Sequence, residues 1–255
     1  MLRKFALLFI LLLVEVLAVA IRPAWAVQDY YLDPSQVDLI HILAPPPSAD
    51  SEEGKTDLQA VLMMQHTRTE AQIKEAAADT EESVLRFADV MGPGFMPEEL
   101  PFATVFFGRV SSDSEKVVSI AKAYFNRPRP FVMDHRVKPV VGRPLGPGYP
   151  GGHATFAYVN AILLAYMVPE KAAAIFSRAG RFARNRVIGG VHYPTDTEAG
   201  RISASVIDNV LLHEPRFLAD FARARAEVRH AIGLHQEGNV RDSQPPESSA
   251  WRASQ

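Results

Sequence analysis

Residues 185 to 196 read NRVIGGVHYPTD and bring Arg186, His192 and Asp196 into one short segment with two glycines. Gly189, Gly190 and Pro194 predict that this segment is mostly not helix, so a charged helical stripe does not explain its order. Two other segments carry residues of the same chemical kind. KAYFNRPRP has Lys122 in the last turn of a predicted helix and Arg129 directly before Pro130, a position biased towards extended backbone. YPGGH sets Gly151 and Gly152 ahead of His153 at the mouth of an apolar stretch. Singly, each has an ordinary structural explanation: cations near helix ends are commonly solvated, Gly-Gly is a flexible entry, and a lone histidine is a surface or capping residue. Together they offer three cations, backbone N–H groups able to turn outward, two imidazoles and one carboxylate.

Phosphoryl transfer without a metal needs such a set. A phosphate monoester carries non-bridging oxygens whose charge must be held through the transition state; two arginines do so with paired planar donors, and a lysine adds a point charge. A helix beginning after Gly-Gly contributes N–H groups and the positive end of its dipole. One histidine can then attack phosphorus while a carboxylate orients it, and the other can protonate the leaving alcohol.

The elements that must position these groups are helical. Residues 27–55 include three consecutive prolines and a polar run, and predict an irregular arm. From Thr56 to about Leu85 helix formers dominate without Gly or Pro, giving one long helix or two shorter ones. Ser112 and Glu115 have capping-box spacing ahead of Val117, Ile120, Ala121 and Tyr124, which predicts a helix from Asp113 to Phe125. Residues 154–167 are apolar on nearly every side, as a helix buried all round would be. Helical residues 171–184 follow. Thr195 and Glu198 form a second capping-box pattern opening a helix with Ala199, Ile202, Val206 and Val210 on one face, and a last helix covers 215–232. The tail, 236–255, is polar and predicted to be disordered. With no strand periodicity and no internal repeat, the expected class is all-α, with one helical domain over 56–235.

The three segments together identify a resemblance to the PAP2 superfamily, whose signature is K-x6-RP, PSGH and SR-x5-H-x3-D. Here these stand as Lys122-x6-Arg129-Pro130, Pro150-Gly-Gly-His153 and Asn185-Arg186-x5-His192-x3-Asp196. The early YLxP, the DLxAVL start of the first helix and the AGR after the last motif resemble the secreted bacterial class A non-specific acid phosphatases. The resemblance implies a helical bundle of the PAP2/chloroperoxidase-like type and an acid phosphatase that uses no metal or other cofactor. His192 would be the nucleophile that becomes a phosphohistidine, Asp196 its orienting carboxylate, and His153 the general acid. Lys122, Arg129, Arg186 and the backbone of Gly151 and Gly152 would hold the phosphate oxygens. Two positions depart from the signature: Gly151 and Asn185 replace serines, which removes two hydroxyls expected near the phosphate. The loss of one such bond to a charged group is worth roughly 1.5–3 kcal/mol.

Other readings compete with this one. A vanadium-dependent haloperoxidase of the same fold would use the same residues to hold vanadate. A periplasmic phosphate-binding protein with weakened catalysis would need only the cations. A zinc site built from the histidines and Asp196 is disfavoured by the surrounding positive charge.

Composition narrows the class further. Arg3 and Lys4, the apolar run from Phe5 to Ala20 and Ala24-Trp25-Ala26 predict a cleaved secretory signal over residues 1–26, hence a periplasmic or secreted protein. The apolar run is short for an uncleaved membrane anchor. Cleavage takes the charged residues from 27 basic and 29 acidic to 24 and 28, net −4, which does not suggest a nucleic-acid partner. There is no cysteine, so the core must hold the fold without disulfides. The expected partners are small phosphate monoesters, with no membrane contact after cleavage. Homo-oligomers, common in the family, are compatible with the sequence.

Overall fold

The computed structural model describes residues 31–234; the predicted signal segment, 1–26, and the predicted tail, 236–255, lie outside the described residues. The described residues are all-α, without strands. Seven helices of two turns or more carry the fold: α1 (Glu52–Thr67), α2 (Glu70–Ala78), α3 (Pro101–Phe125), α4 (Gly152–Met167), α5 (Ala172–Ile188), α6 (Pro194–Leu211) and α7 (Pro215–Ala231). None of them is long and apolar enough to cross a membrane.

Local capping sets the helix boundaries, and in several places it moves them from where periodicity alone puts them. Ser51 Oγ accepts the Gly54 N–H at 3.0 Å, so α1 starts at Glu52 rather than Thr56. The arm before it is not wholly irregular, since Asp33 caps a 3-10 turn at Pro34–Gln36 and Asp38 caps one helical turn at Leu39–Ile42. Thr69 and Gln72 close a capping box that splits α2 from α1. The expected start of α3 at Asp113 is wrong by three turns. Pro101 opens it, and Phe106, Phe107 and Val110 extend its buried face upstream. The Ser112/Glu115 spacing is mid-helix; neighbouring Ser111 and Ser114 return their hydroxyls to the carbonyls four residues back, both at 2.8 Å, which lets polar residues sit inside a helix.

Helix α4 is the hub, packed against α3, α5 and α6, while α7 packs mainly against α3 and also touches α4. Its Val159, Leu163, Leu164 and Met167 are fully buried, each side chain contributing about 1.5–3 kcal/mol of transfer free energy. The buried face of α6 runs through Ala199, Gly200, Ser203, Ala204, Ile207 and Leu211. That corrects the expected face by one position, since Ile202 is exposed. Small residues decide this orientation: a Cβ on Gly200 would stand 2.5 Å from the Gly151 carbonyl oxygen and 2.8 Å from Ala154 Cβ. The start of α4 and the first turns of α6 can touch only because both glycines lack one.

Candidate active site

Asn126, at φ 46, ends α3 in the left-handed region and returns its N–H to the Lys122 carbonyl at 3.0 Å. Asparagine tolerates this conformation better than most residues. The prolines of Arg127-Pro128-Arg129-Pro130 then hold the preceding residues extended, and side chains two apart on an extended segment share a face. Arg127 and Arg129 are both buried for that reason. Arg129 donates to the Gly146 carbonyl at 3.0 Å, the Pro147 carbonyl at 3.2 Å and the Val191 carbonyl at 2.9 Å. Lys122 Nζ donates to the Pro147 carbonyl at 3.1 Å. Burial, then the Arg129 charge, lower Lys122 to about 8.

His192 and Asp196 stand at the α5–α6 turn. His192 Nδ1 is 3.2 Å from Asp196 Oδ2, and His192 Nε2 is 2.9 Å from Arg129 Nη1. A guanidinium only donates, so Nε2 must present its lone pair and Nδ1 must carry the proton towards the carboxylate. Burial lowers His192 to about 4 against the opposing pull of Asp196, which keeps the imidazole neutral and nucleophilic well into the acid range. Asp196 is fully buried. Burial alone would raise its pKa, but His192, Arg127 and the Tyr193 N–H outweigh this and lower it.

The turn differs from its sequence-based description in two respects. Asn185 to Ile188 belong to α5, so Arg186 projects from a helix rather than a loop. The Thr195/Glu198 pair does not cap α6. Asp196, in the first turn, reaches back to the Tyr193 N–H at 2.9 Å, and the Thr195 hydroxyl donates to Asp57 instead.

Arg186 is 2% exposed; its Nη1 reaches the Asp79 carbonyl at a long 3.4 Å, and its Nε has no partner. Burial, then Arg129, lower it to about 10. A buried cation with a free donor is a costly arrangement that an anion would relieve. The neighbouring Asn185 side chain also meets Asp79. Its amide donates to Asp79 at 2.8 Å, beside Arg178, in a buried hub that ties α5 to the end of α2.

His153, in the first turn of α4, sits between the Glu82 carboxyl (Nδ1 to Oε1, 3.1 Å) and the Thr80 carbonyl (Nε2, 3.2 Å). Burial, then Arg186, push His153 down to about 3, while burial and Glu115 push Glu82 up. Both contacts are satisfied when Nε2–H donates to the Thr80 carbonyl and one proton is shared between Nδ1 and the Glu82 carboxyl. Lys122, Arg129, Gly152, His153, His192 and Glu82 share the wall of one cavity of about 240 Å³. Arg186 and Asp196 are not among the residues that line it. The Gly152 and His153 N–H groups, in the first turn of α4, have no intrahelical acceptor.

Gly151 does not act as expected. Its N–H donates to the Asp196 main-chain carbonyl at 2.8 Å and is not free for an anion; what it holds is the contact between α4 and α6. Conversely, motif spacing missed four residues. Arg127 bridges Asp57 and Asp196, Glu82 partners His153, and Asp79 holds Arg178 and Asn185. Arg127 could have been found from the RPRP repeat, because alternate residues of an extended segment point the same way. The three acids lie outside any local pattern.

The PAP2 superfamily matches residues 103–217, which span Lys122, Arg129, His153, Arg186, His192 and Asp196 but not Asp57, Asp79 or Glu82. Among curated proteins, the acid phosphatase of Zymomonas mobilis is 30% identical over 202 residues, covering 76% of each chain. The non-specific acid phosphatase of Salmonella typhimurium is 28% identical over 220 residues, 83% of this chain and 88% of that one. That of Providencia stuartii is 27% identical over 209 residues, 78% and 84%. The family match over residues 103–217 and the similarity to acid phosphatases over three quarters or more of the chain show that the chain belongs to the PAP2 superfamily.

Proposed function

We propose that this protein is an exported acid phosphatase that hydrolyses phosphate monoesters through a phosphohistidine on His192 and without a metal. The observation that carries this reading is the His192 imidazole, its Nδ1 3.2 Å from Asp196 Oδ2 and its Nε2 2.9 Å from Arg129 Nη1, at the wall of a cavity shared with Lys122 and Arg129, a geometry that fits a neutral ring with the proton on Nδ1. Substrate oxygens take over the N–H that Arg129 gives to Nε2, and this frees the lone pair. Nε2 attacks phosphorus, the bond to the leaving oxygen breaks with its electron pair on that oxygen, and the proton held by the His153–Glu82 pair neutralises it. Water then attacks phosphorus and loses its proton to His153, and the P–N electron pair returns to His192. Lys122, Arg129, Arg186 and the first N–H groups of α4 hold the charge that a metal holds in other phosphatases.

Exhaustive chelation should leave turnover of p-nitrophenyl phosphate unchanged, and a rapid alkaline quench, under which the P–N bond survives, should recover a phosphohistidine that is absent from His192→Ala. Activity that returns only with an added divalent ion, or a phosphoenzyme that survives in His192→Ala, would defeat this mechanism.

A further inference from the structure

Resting on the phosphatase reading, we propose that Arg127 is a positioning residue for the reaction: held by Asp57 and Thr195, it fixes the Asp196 carboxylate so that its other oxygen orients His192. Arg127 Nη1 donates to Asp196 Oδ1 at 2.6 Å and to the Thr195 hydroxyl at 2.7 Å, while its Nη2 donates to Asp57 Oδ2 at 2.8 Å. Asp57 also accepts the Thr195 N–H at 3.2 Å. Asp57, on α1, and Asp196, on α6, are thus clamped by one planar fork from the segment after α3, and the guanidinium lies 4.2 Å above the Tyr193 ring.

The division of Asp196 oxygens gives this clamp a role beyond joining helices. Oδ1 is taken by Arg127, and Oδ2 receives the Tyr193 N–H and the His192 Nδ1–H. With both oxygens anchored, the carboxylate cannot rotate, and the imidazole tautomer that exposes Nε2 is the one selected. The positive charge also limits how strongly Asp196 draws a proton onto His192. The other groups facing this pair are Lys122 from α3, Arg129 from the same extended segment as Arg127, His153 from α4, Tyr149 from the loop before α4, and Tyr193 from the α5–α6 turn; Lys122 and Arg129 favour a neutral His192. Without Arg127, Asp196 would protonate more readily, and whenever ionised it would hold His192 charged to higher pH. Both changes move the acid limb of the rate profile upward.

Arg127→Met should lower kcat about 10- to 100-fold, as loss of a partner that orients a reacting group does elsewhere. It should raise the acid limb of kcat/KM for p-nitrophenyl phosphate by about one pH unit. Asp57→Asn should do the same to a smaller degree, and inorganic phosphate should bind both variants as it binds wild type, since neither residue touches the anion. Imidazole 15N shifts read the tautomer without any turnover: wild-type His192 should be protonated at Nδ1 alone, and Arg127→Met should show a mixture. On an Asp196→Asn background the Arg127 effect on kcat should vanish. Loss of thermal stability with unmoved acid limb and His192 shifts would overturn the proposal, as would an Arg127 effect that persists in full beside Asp196→Asn. If Arg127→Met does not fold, the same outcomes are read from Arg127→Lys, which keeps charge without the fork, and from Asp57→Asn. If wild type hydrolyses no monoester, the phosphatase reading falls while the imidazole shifts still decide this one.

Discussion

Replacing Gly151 by the serine its relatives' signature carries should weaken this protein rather than repair it. A Cβ at 151 would stand 2.9 Å from the Asp196 carbonyl oxygen and 3.3 Å from its carbon, both backbone atoms, and 3.5 Å from Ala154 Cβ. The Gly151 N–H donates to that same oxygen, so the new atom would sit against its own hydrogen bond. Relief requires the first turn of α6 to retreat by a few tenths of an ångström, and Asp196 moves with it. Overpacking of this kind costs about 1–3 kcal/mol. For a domain of this size that is a fall in Tm of roughly 2–12 °C. A shift smaller than the 1 Å that costs about 100-fold should lower kcat on p-nitrophenyl phosphate by about tenfold or less. Gly151→Ala carries the same Cβ without the hydroxyl, so calorimetry and steady-state kinetics on both variants separate steric cost from any gained hydrogen bond. Equal or higher Tm and kcat in Gly151→Ser would refute the claim that the close approach of α4 and α6 requires glycine.

Vanadate or phosphate should raise Tm with the logarithm of its concentration above Kd, because either relieves the buried, partly unpartnered Arg186, and Arg186→Met should abolish most of that rise. His192 is lowered in the folded state from 6.5 to about 4, so the folded chain binds fewer protons than the unfolded one in that window. The His192 contribution to stability should be complete above pH 6.5 and fall by about 3 kcal/mol as the pH drops to 4, a loss of the same sign as that from His153 and one that His192→Asn should remove in denaturant titrations. Arg129→Lys and Arg186→Lys should each lose more kcat/KM than Lys122→Arg, since only the former discard paired planar donors. His153→Ala should lose far more activity on glycerol phosphate than on p-nitrophenyl phosphate, whose leaving group departs without a proton, unless a burst of p-nitrophenol shows that the second step has become limiting.

How much of this was legible in the sequence depends on the range over which each feature is determined. Helix class, the buried character of α4 and the identity of Lys122, Arg129, His153, Arg186, His192 and Asp196 are local properties. They follow from periodicity and from spacings of a few residues, which backbone geometry converts directly into faces and turns. Capping signatures were less dependable: serines at 111, 112 and 114 resemble a helix start but are accommodated inside α3, because the apolar face continues upstream to Pro101. Which donors are free and which carboxylate holds which cation could be decided only by tertiary structure. The Gly151 N–H is occupied by a carbonyl 45 residues away, Arg127 is fixed by an acid 70 residues before it, and His153 meets Glu82 across the end of α4. A buried hydrogen-bonding group must find a partner wherever the packed chain brings one. That choice depends on how helices distant in sequence approach one another, so the sequence names the candidate groups while the packing of α1, α4 and α6 determines their partners and orientation.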